Sequence, residues 1–290
     1  MKAMYALMAV LVLGTLAALG AQSDGLRGVL AIGVPYLALV LFVGGLAYRV
    51  VKWARVPVPF RVPSTCGQQR SLAWIKPSRL DNPHDLVGVL GRMALEVLVF
   101  RSLFRNTSAE LGPVAAQADV GHGGEPEPYQ GPRLAYGATK WLWAAGLAFH
   151  YSMLVVLLRH LRFFTEPVPW PVSSLAALDG FLQVGVPTAY VTSALLLAAV
   201  TYLLLRRLVM APVRYISLCA DYFPLLLILG IGTTGVLLRH FVRTDIVAVK
   251  ELALSLVSFQ PTVPAGIGSL FYVHLFLVCV LFAYFPWSKL

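Results

Sequence analysis

Six stretches of this sequence are apolar for long enough to cross a bilayer, and nothing else in the chain restricts its fold as much. They run near Met4–Leu19, Val29–Tyr48, 136–164, Gly185–Leu205, Tyr222–Leu238 and Ser269–Phe285. A hydrocarbon core about 30 Å thick takes about 20 helical residues to span. Inside it every backbone N–H and C=O must be satisfied within the chain, so each stretch is predicted to be a transmembrane α-helix. Composition agrees: 58% of the 290 residues are hydrophobic, 12% are charged and the mean hydropathy is +0.76, outside the range of a soluble domain. The expected fold class is an all-α integral membrane protein in the lipid bilayer. The net charge of +10 then reports orientation, and no nucleic-acid partner is expected.

Three regions follow. Residues 1–52 read as an N-terminal transmembrane hairpin, although the run from Met4 followed by GAQSDG also resembles a signal peptide. Residues 53–135 form the one long polar region, a cytoplasmic loop that Pro57, Pro59 and Pro63 make extended at its entry. Within it residues 85–105 alternate apolar runs with Arg92, Glu96, Arg101 and Arg105, the pattern of a helix lying in the membrane interface. From Asn106 to Arg133 the Gly, Pro and Glu content predicts a solvated loop. Residues 136–290 hold the remaining four spans.

Lysine and arginine are unevenly distributed. Arg27, Arg159, Arg162, Arg239, Arg243 and Lys250 fall on one side of the predicted membrane, and the other 17 of 23 basic residues on the opposite side. The basic side is expected to be cytoplasmic, with both termini inside, in a multi-pass protein of a bacterial or archaeal cytoplasmic membrane.

Histidines supply the chemistry. His150 and His160 share the central span, His240 ends the fifth and His274 lies in the last. An ionisable or metal-ligating group within a span marks a functional site. Ten residues separate His150 from His160, roughly 15 Å along a helix, which suggests two haems at different depths. His160, at the outer end of one helix, and His274, near the outer start of an antiparallel one, can take the same iron from opposite sides. His240 competes for that place but sits between Arg239 and Arg243, which fits an interfacial role near a haem propionate or a quinone. Arg159, Arg162, Arg239 and Arg243 form the basic cluster that propionates need, or else simply snorkel to the interface. His84 and His122 read as surface residues. Cys66, Cys219 and Cys279 form no C-x-x-C pair and there is no C-x-x-C-H, so any haem is b-type, held by axial ligands alone. A haem-free anchor or assembly subunit is the alternative reading; a transporter would need broken helices and a repeat that the chain lacks.

The segments FHYSMLVVLLRH, LLLRRLVMAPVRYISLCADYF and HLFLVCVLFAYFPWSKL resemble the gamma subunit of respiratory nitrate reductase, a dihaem cytochrome b, over about residues 136–290. The N-terminal hairpin followed by VPVPFRVPSTCGQQRSLAWIKPSRLDNP resembles DsrM, the cytochrome b subunit of the DsrMKJOP membrane complex of dissimilatory sulfur metabolism. These resemblances imply two haem b (heme b) groups and a quinone, menaquinone or ubiquinone. They also imply an electron-transfer subunit working between the quinone pool and a cytoplasmic iron–sulfur subunit, alongside further membrane and periplasmic subunits. The family's first three ligands match His150, His160 and His274. Its fourth falls just past Leu290, so the natural chain is expected to continue to a histidine there. The family's quinol-site lysine has no counterpart around Phe181–Gln183.

Overall fold

The computed structural model describes residues 1–57, 78, 80–81, 83, 85–104 and 139–289, and the backbone alone of 108–112 and 133–137. His84, His122, Cys66, Pro59 and Pro63 lie outside the described residues. Among the described residues, six helices are long and apolar enough to cross a membrane. They are α1 (Lys2–Gly20), α2 (Asp24–Ala54, with a π turn at Val29–Gly33), α4 (Lys140–His160, extended by a 3-10 turn to Phe163), α6 (Val191–Val209), α8 (Cys219–His240) and α10 (Ser269–Tyr284, extended to Trp287). Helices α3 (Leu86–Val99), α5 (Trp170–Asp179), α7 (Ala211–Ile216) and α9 (Ile246–Val257) lie between them. Only 11% to 28% of each span is buried by protein, so most of its apolar surface is left for lipid.

The chain divides into two units, Met1–Val56 with Ala148–Leu290, and Pro57–Leu147. In the first, α8 packs on α1, α6 and α10, and α10 also packs on α1 and α2. Val10, Leu227 and Leu277 meet where α1, α8 and α10 converge. Leu196 and Val200 of α6 close on Ile228 of α8, with Phe149, Met153 and Val156 of α4 packed against them. Lipid tails are as apolar as leucine, so close packing rather than escape from water joins such helices. Gly45 shows what that demands: a Cβ there would lie 2.7 Å from Pro286 Cβ, so glycine lets the end of α10 settle against α2.

Polar contacts gather both termini at one end of this bundle. Lys2 Nζ donates to the Ser217 carbonyl at 2.9 Å, Arg49 to the carbonyls of Pro286 (2.7 Å) and Ser288 (3.0 Å), and Lys289 Nζ sits 3.0 Å from Asp221 Oδ1. At about 1.5 Å per residue α2 is roughly 46 Å long, which carries Arg49, Lys52 and Arg55 beyond the hydrocarbon.

Several boundaries differ from the sequence expectation. The fourth span begins at Val191, not Gly185; Gly185 takes φ +80 in the connection before it, a conformation glycine adopts without cost. The central helix begins at Lys140, because residues 133–137 pair instead with 108–112 as an antiparallel ribbon. That ribbon occupies both ends of the stretch expected as a solvated loop. Within the second unit, the described part of the 85–105 stretch, residues 85–104, is interrupted. Helix α3 stops at Phe100 (φ 50) and a single turn, Arg101–Phe104, follows. Side chains set this break: Glu96 accepts from the Ser102 amide and hydroxyl (2.9 and 2.6 Å), while Trp143 Nε1 donates to the Val99 carbonyl (2.6 Å).

Candidate haem site

Helices α8 and α10 bring Thr234 and His274 together, and His160 ends α4. His160 lies at the last position of α4, where the final carbonyls lack helical donors, and its Nδ1 is 2.7 Å from the Val156 carbonyl. A carbonyl only accepts, so Nδ1 carries the proton and Nε2 the lone pair. His274, on the second turn of antiparallel α10, has Nδ1 2.9 Å from Thr234 Oγ1 on α8. Its ring lies against α8, where a Cβ on Gly235 would come within 3.3 Å of Cε1.

Beside His160 is a charged network. Arg159, 7% exposed, reaches inward with Nε 3.0 Å from Asp179 Oδ2 at the end of α5. The approach is close but misaligned for a hydrogen bond at Nε, so attraction between charges is what holds it. Asp179 also accepts from the Thr192 amide (2.8 Å) and hydroxyl (2.6 Å), closing the start of α6. The Tyr190 ring is flanked by two guanidinium groups, Arg159 at 3.7 Å and Arg239 at 4.2 Å. Arg239 donates through Nε and NH2 to the Thr188 carbonyl (3.0 and 2.8 Å). Arg162 lies over the Phe163 ring at 4.9 Å, and His240 and Arg243 are exposed.

Residues 136–290 match the family described as nitrate reductase gamma subunit. The chain belongs to that family. Over 264 residues it is 40% identical to the Hdr-like menaquinol oxidoreductase cytochrome b-like subunit of Archaeoglobus fulgidus, an alignment covering 89% of this chain and 74% of the relative. Against the protein of the same description from Archaeoglobus profundus the identity is 37% over 263 residues, 88% of this chain and 73% of the other.

In this nitrate reductase gamma family member, the donor set at the His160 end fits a haem. His160 and His274, on different helices, each have Nδ1 within hydrogen-bond distance of a protein oxygen, at 2.7 and 2.9 Å, an arrangement that would leave Nε2 to hold a haem iron. His150, one of the three predicted ligands, is exposed on α4 and set edge-on to Phe149 at 4.9 Å. Tyr284, the residue of matching depth on α10, has its ring on Phe223 (5.1 Å) and its hydroxyl 3.4 Å from the Ala220 carbonyl. That carbonyl is the one Pro224, four residues on, cannot serve with an N–H.

Of the predicted basic cluster, Arg159 and Arg239 converge on Tyr190, whereas Arg162 and Arg243 do not join them. Sequence reasoning overlooked Asp179, Tyr190 and Thr234. A signal existed for Asp179: a lone carboxylate in LAALDGF, at the end where Arg159 and Arg239 lie, calls for a cation. None existed for Thr234, because one threonine of the GTTG pair is not distinguished from the other by its sequence.

Proposed function

We propose that the chain is a membrane cytochrome b subunit that moves electrons from quinol toward a cytoplasmic iron–sulfur subunit, with His160 and His274 as axial ligands of one haem b. The observation that carries this reading is that both histidines hold Nδ1 against a protein oxygen, at 2.7 Å for His160 and 2.9 Å for His274, which favours a tautomer with Nε2 basic. When bound, haem b supplies a one-electron carrier within the bilayer. The chain's own part is to hold two ligands on rigid helices, which keeps an iron low-spin and limits rearrangement on electron transfer.

The relatives are described as menaquinol oxidoreductase subunits, which favours menaquinol as the electron donor here. The DsrM-like hairpin favours a place in a sulfur-metabolism complex of the DsrMKJOP kind, with its other membrane and periplasmic subunits as partners. His150 is proposed as a ligand of a second haem, and Arg162, Arg243 and His240 as groups near propionates or quinone. Arg159 and Arg239 act on that region through Tyr190 and Asp179. The end of the bundle with Lys2, Arg49, Lys52 and Lys289 is assigned to the cytoplasm by the positive-inside rule, and the long basic loop with the interfacial segment at 85–105 is proposed to dock the iron–sulfur partner.

The test is a reduced-minus-oxidised absorption spectrum of the full chain purified from membranes, with His160→Ala and His274→Ala beside it. A b-type α-band that falls in both variants is the expected result. A spectrum without haem bands in the wild-type protein would sink the cytochrome reading, and full low-spin haem content in His274→Ala would remove that ligand.

A further inference from the structure

Two adjacent threonines on α8 do different things. Thr233 Oγ1 donates to the Leu229 carbonyl at 2.7 Å and is exposed. This is the ordinary way a threonine spends its proton in a membrane helix. Thr234 makes the same backward bond, with Oγ1 2.9 Å from the carbonyls of both Gly230 and Ile231, and in addition lies 2.9 Å from His274 Nδ1 on the neighbouring helix. A hydroxyl has one proton. Two carbonyls, which can only accept, compete for that proton, and when either takes it the oxygen offers the imidazole a lone pair, to which Nδ1–H of His274 would donate.

We propose that Thr234 is the positioning residue of the His274 ligand: its hydroxyl selects the tautomer with a basic Nε2, fixes the ring plane and raises the ligand's basicity. The inference rests on the haem reading given above. Gly235 completes the seat, because a Cβ at that position would stand 3.3 Å from Cε1 of the same ring. His160 reaches the same state by a different route, through a carbonyl of its own helix. The pair is thus built asymmetrically: one ligand is oriented within α4, the other depends on contact between α8 and α10. Hydrogen bonding at the distal nitrogen gives an imidazole some imidazolate character, which favours ferric over ferrous iron.

The experiment compares Thr234→Val, Thr234→Ala, Thr234→Ser and Thr233→Val in full-length protein in its native membrane. The readouts are haem midpoint potential, electron paramagnetic resonance g-values and haem retained after detergent extraction. Valine keeps the shape of threonine and removes the acceptor. Loss of an outer hydrogen bond of this kind weakens metal binding about 10-fold to 100-fold. If the ferric form bears a tenfold share of that loss, the potential rises by about 59 mV for a one-electron couple.

The expected result is that Thr234→Val and Thr234→Ala raise the potential, alter the g-values and lose haem in detergent. Thr234→Ser should restore all three, and Thr233→Val should leave them unchanged. Wild-type potential and g-values in both Thr234→Val and Thr234→Ala overturn the proposal while the haem reading stands, and so does an equal shift in Thr233→Val. A wild-type protein without haem overturns the underlying reading, and this inference with it.

Discussion

The two ends of the bundle each hold a carboxylate 3.0 Å from a cation, and the resemblance stops at that distance. At the histidine end the Arg159 and Asp179 side chains are 8% and 3% exposed; at the end that gathers the termini, Lys289 and Asp221 are 64% and 14% exposed. Water screens the second pair and not the first. The histidine end spends its polar groups on one another and on an aromatic ring. The terminal end directs its cations mostly at backbone carbonyls of Ser217, Pro286 and Ser288. Separation alone is therefore a poor guide to what an ion pair contributes, and the terms that decide are desolvation and what remains when one partner is removed.

The sharpest way to break the comparison is Asp179→Ala. It strands the buried Arg159 charge, and removing one partner of such a pair costs about 3–5 kcal/mol. Thermal unfolding in detergent should show a large drop that the double replacement Arg159→Met with Asp179→Leu mostly recovers. A single variant as stable as wild type would mean the pair is hydrated after all.

Next in size is Tyr190→Leu, which removes the ring between two guanidinium groups. Desolvated cation–π contacts are worth about 2 kcal/mol, so a loss of that order is expected in the same assay. No change would show that the arginines are held without the ring, by Asp179, the Ser193 hydroxyl and the Thr188 carbonyl.

At the terminal end Lys289→Ala should cost about 1 kcal/mol or less, and adding salt to the wild type should mimic it. A loss as large as that at Asp179 would erase the distinction between the two ends.

The smallest effect is expected in α3. The hydrogen bonds from Ser102 hold the Glu96 carboxyl below its ordinary value, with Arg92 and Arg101 adding to the effect. A depressed carboxylate contributes stability that is complete above its ordinary value and is lost as pH falls through the depressed one. Amide-exchange protection at Ser102 should thus hold from neutral pH to about pH 4 and fall below it; protection unchanged at lower pH would detach it from Glu96.

Hydropathy made the six spans legible, since a bilayer imposes length and apolarity on each segment separately. Helices α5 and α9 were missed for the converse reason. At 10 and 12 residues they are too short to carry the spanning signal, and their turns are fixed by partners, as in the ion pair between Lys250 of α9 and Glu166. The start of α6 was placed too early because Gly185 and Val186 continue an apolar run. Hydropathy has no term for the bonds that the Thr192 amide and hydroxyl donate to Asp179 in the first turn of the helix.

By itself, then, the sequence determined that the chain is a helical membrane protein, where its six candidate spans lie, and which of them carry His160 and His274. Those properties depend on each residue's own polarity and its count along a segment. Which threonine meets His274, which carboxylate neutralises Arg159, and that Tyr284 turns to the carbonyl freed by Pro224 were decided only by tertiary structure. Each depends on the rotation of one helix about its axis relative to another. Side-chain packing at places such as Gly45 and Gly235 sets that rotation, and a linear pattern of hydropathy contains almost nothing about it.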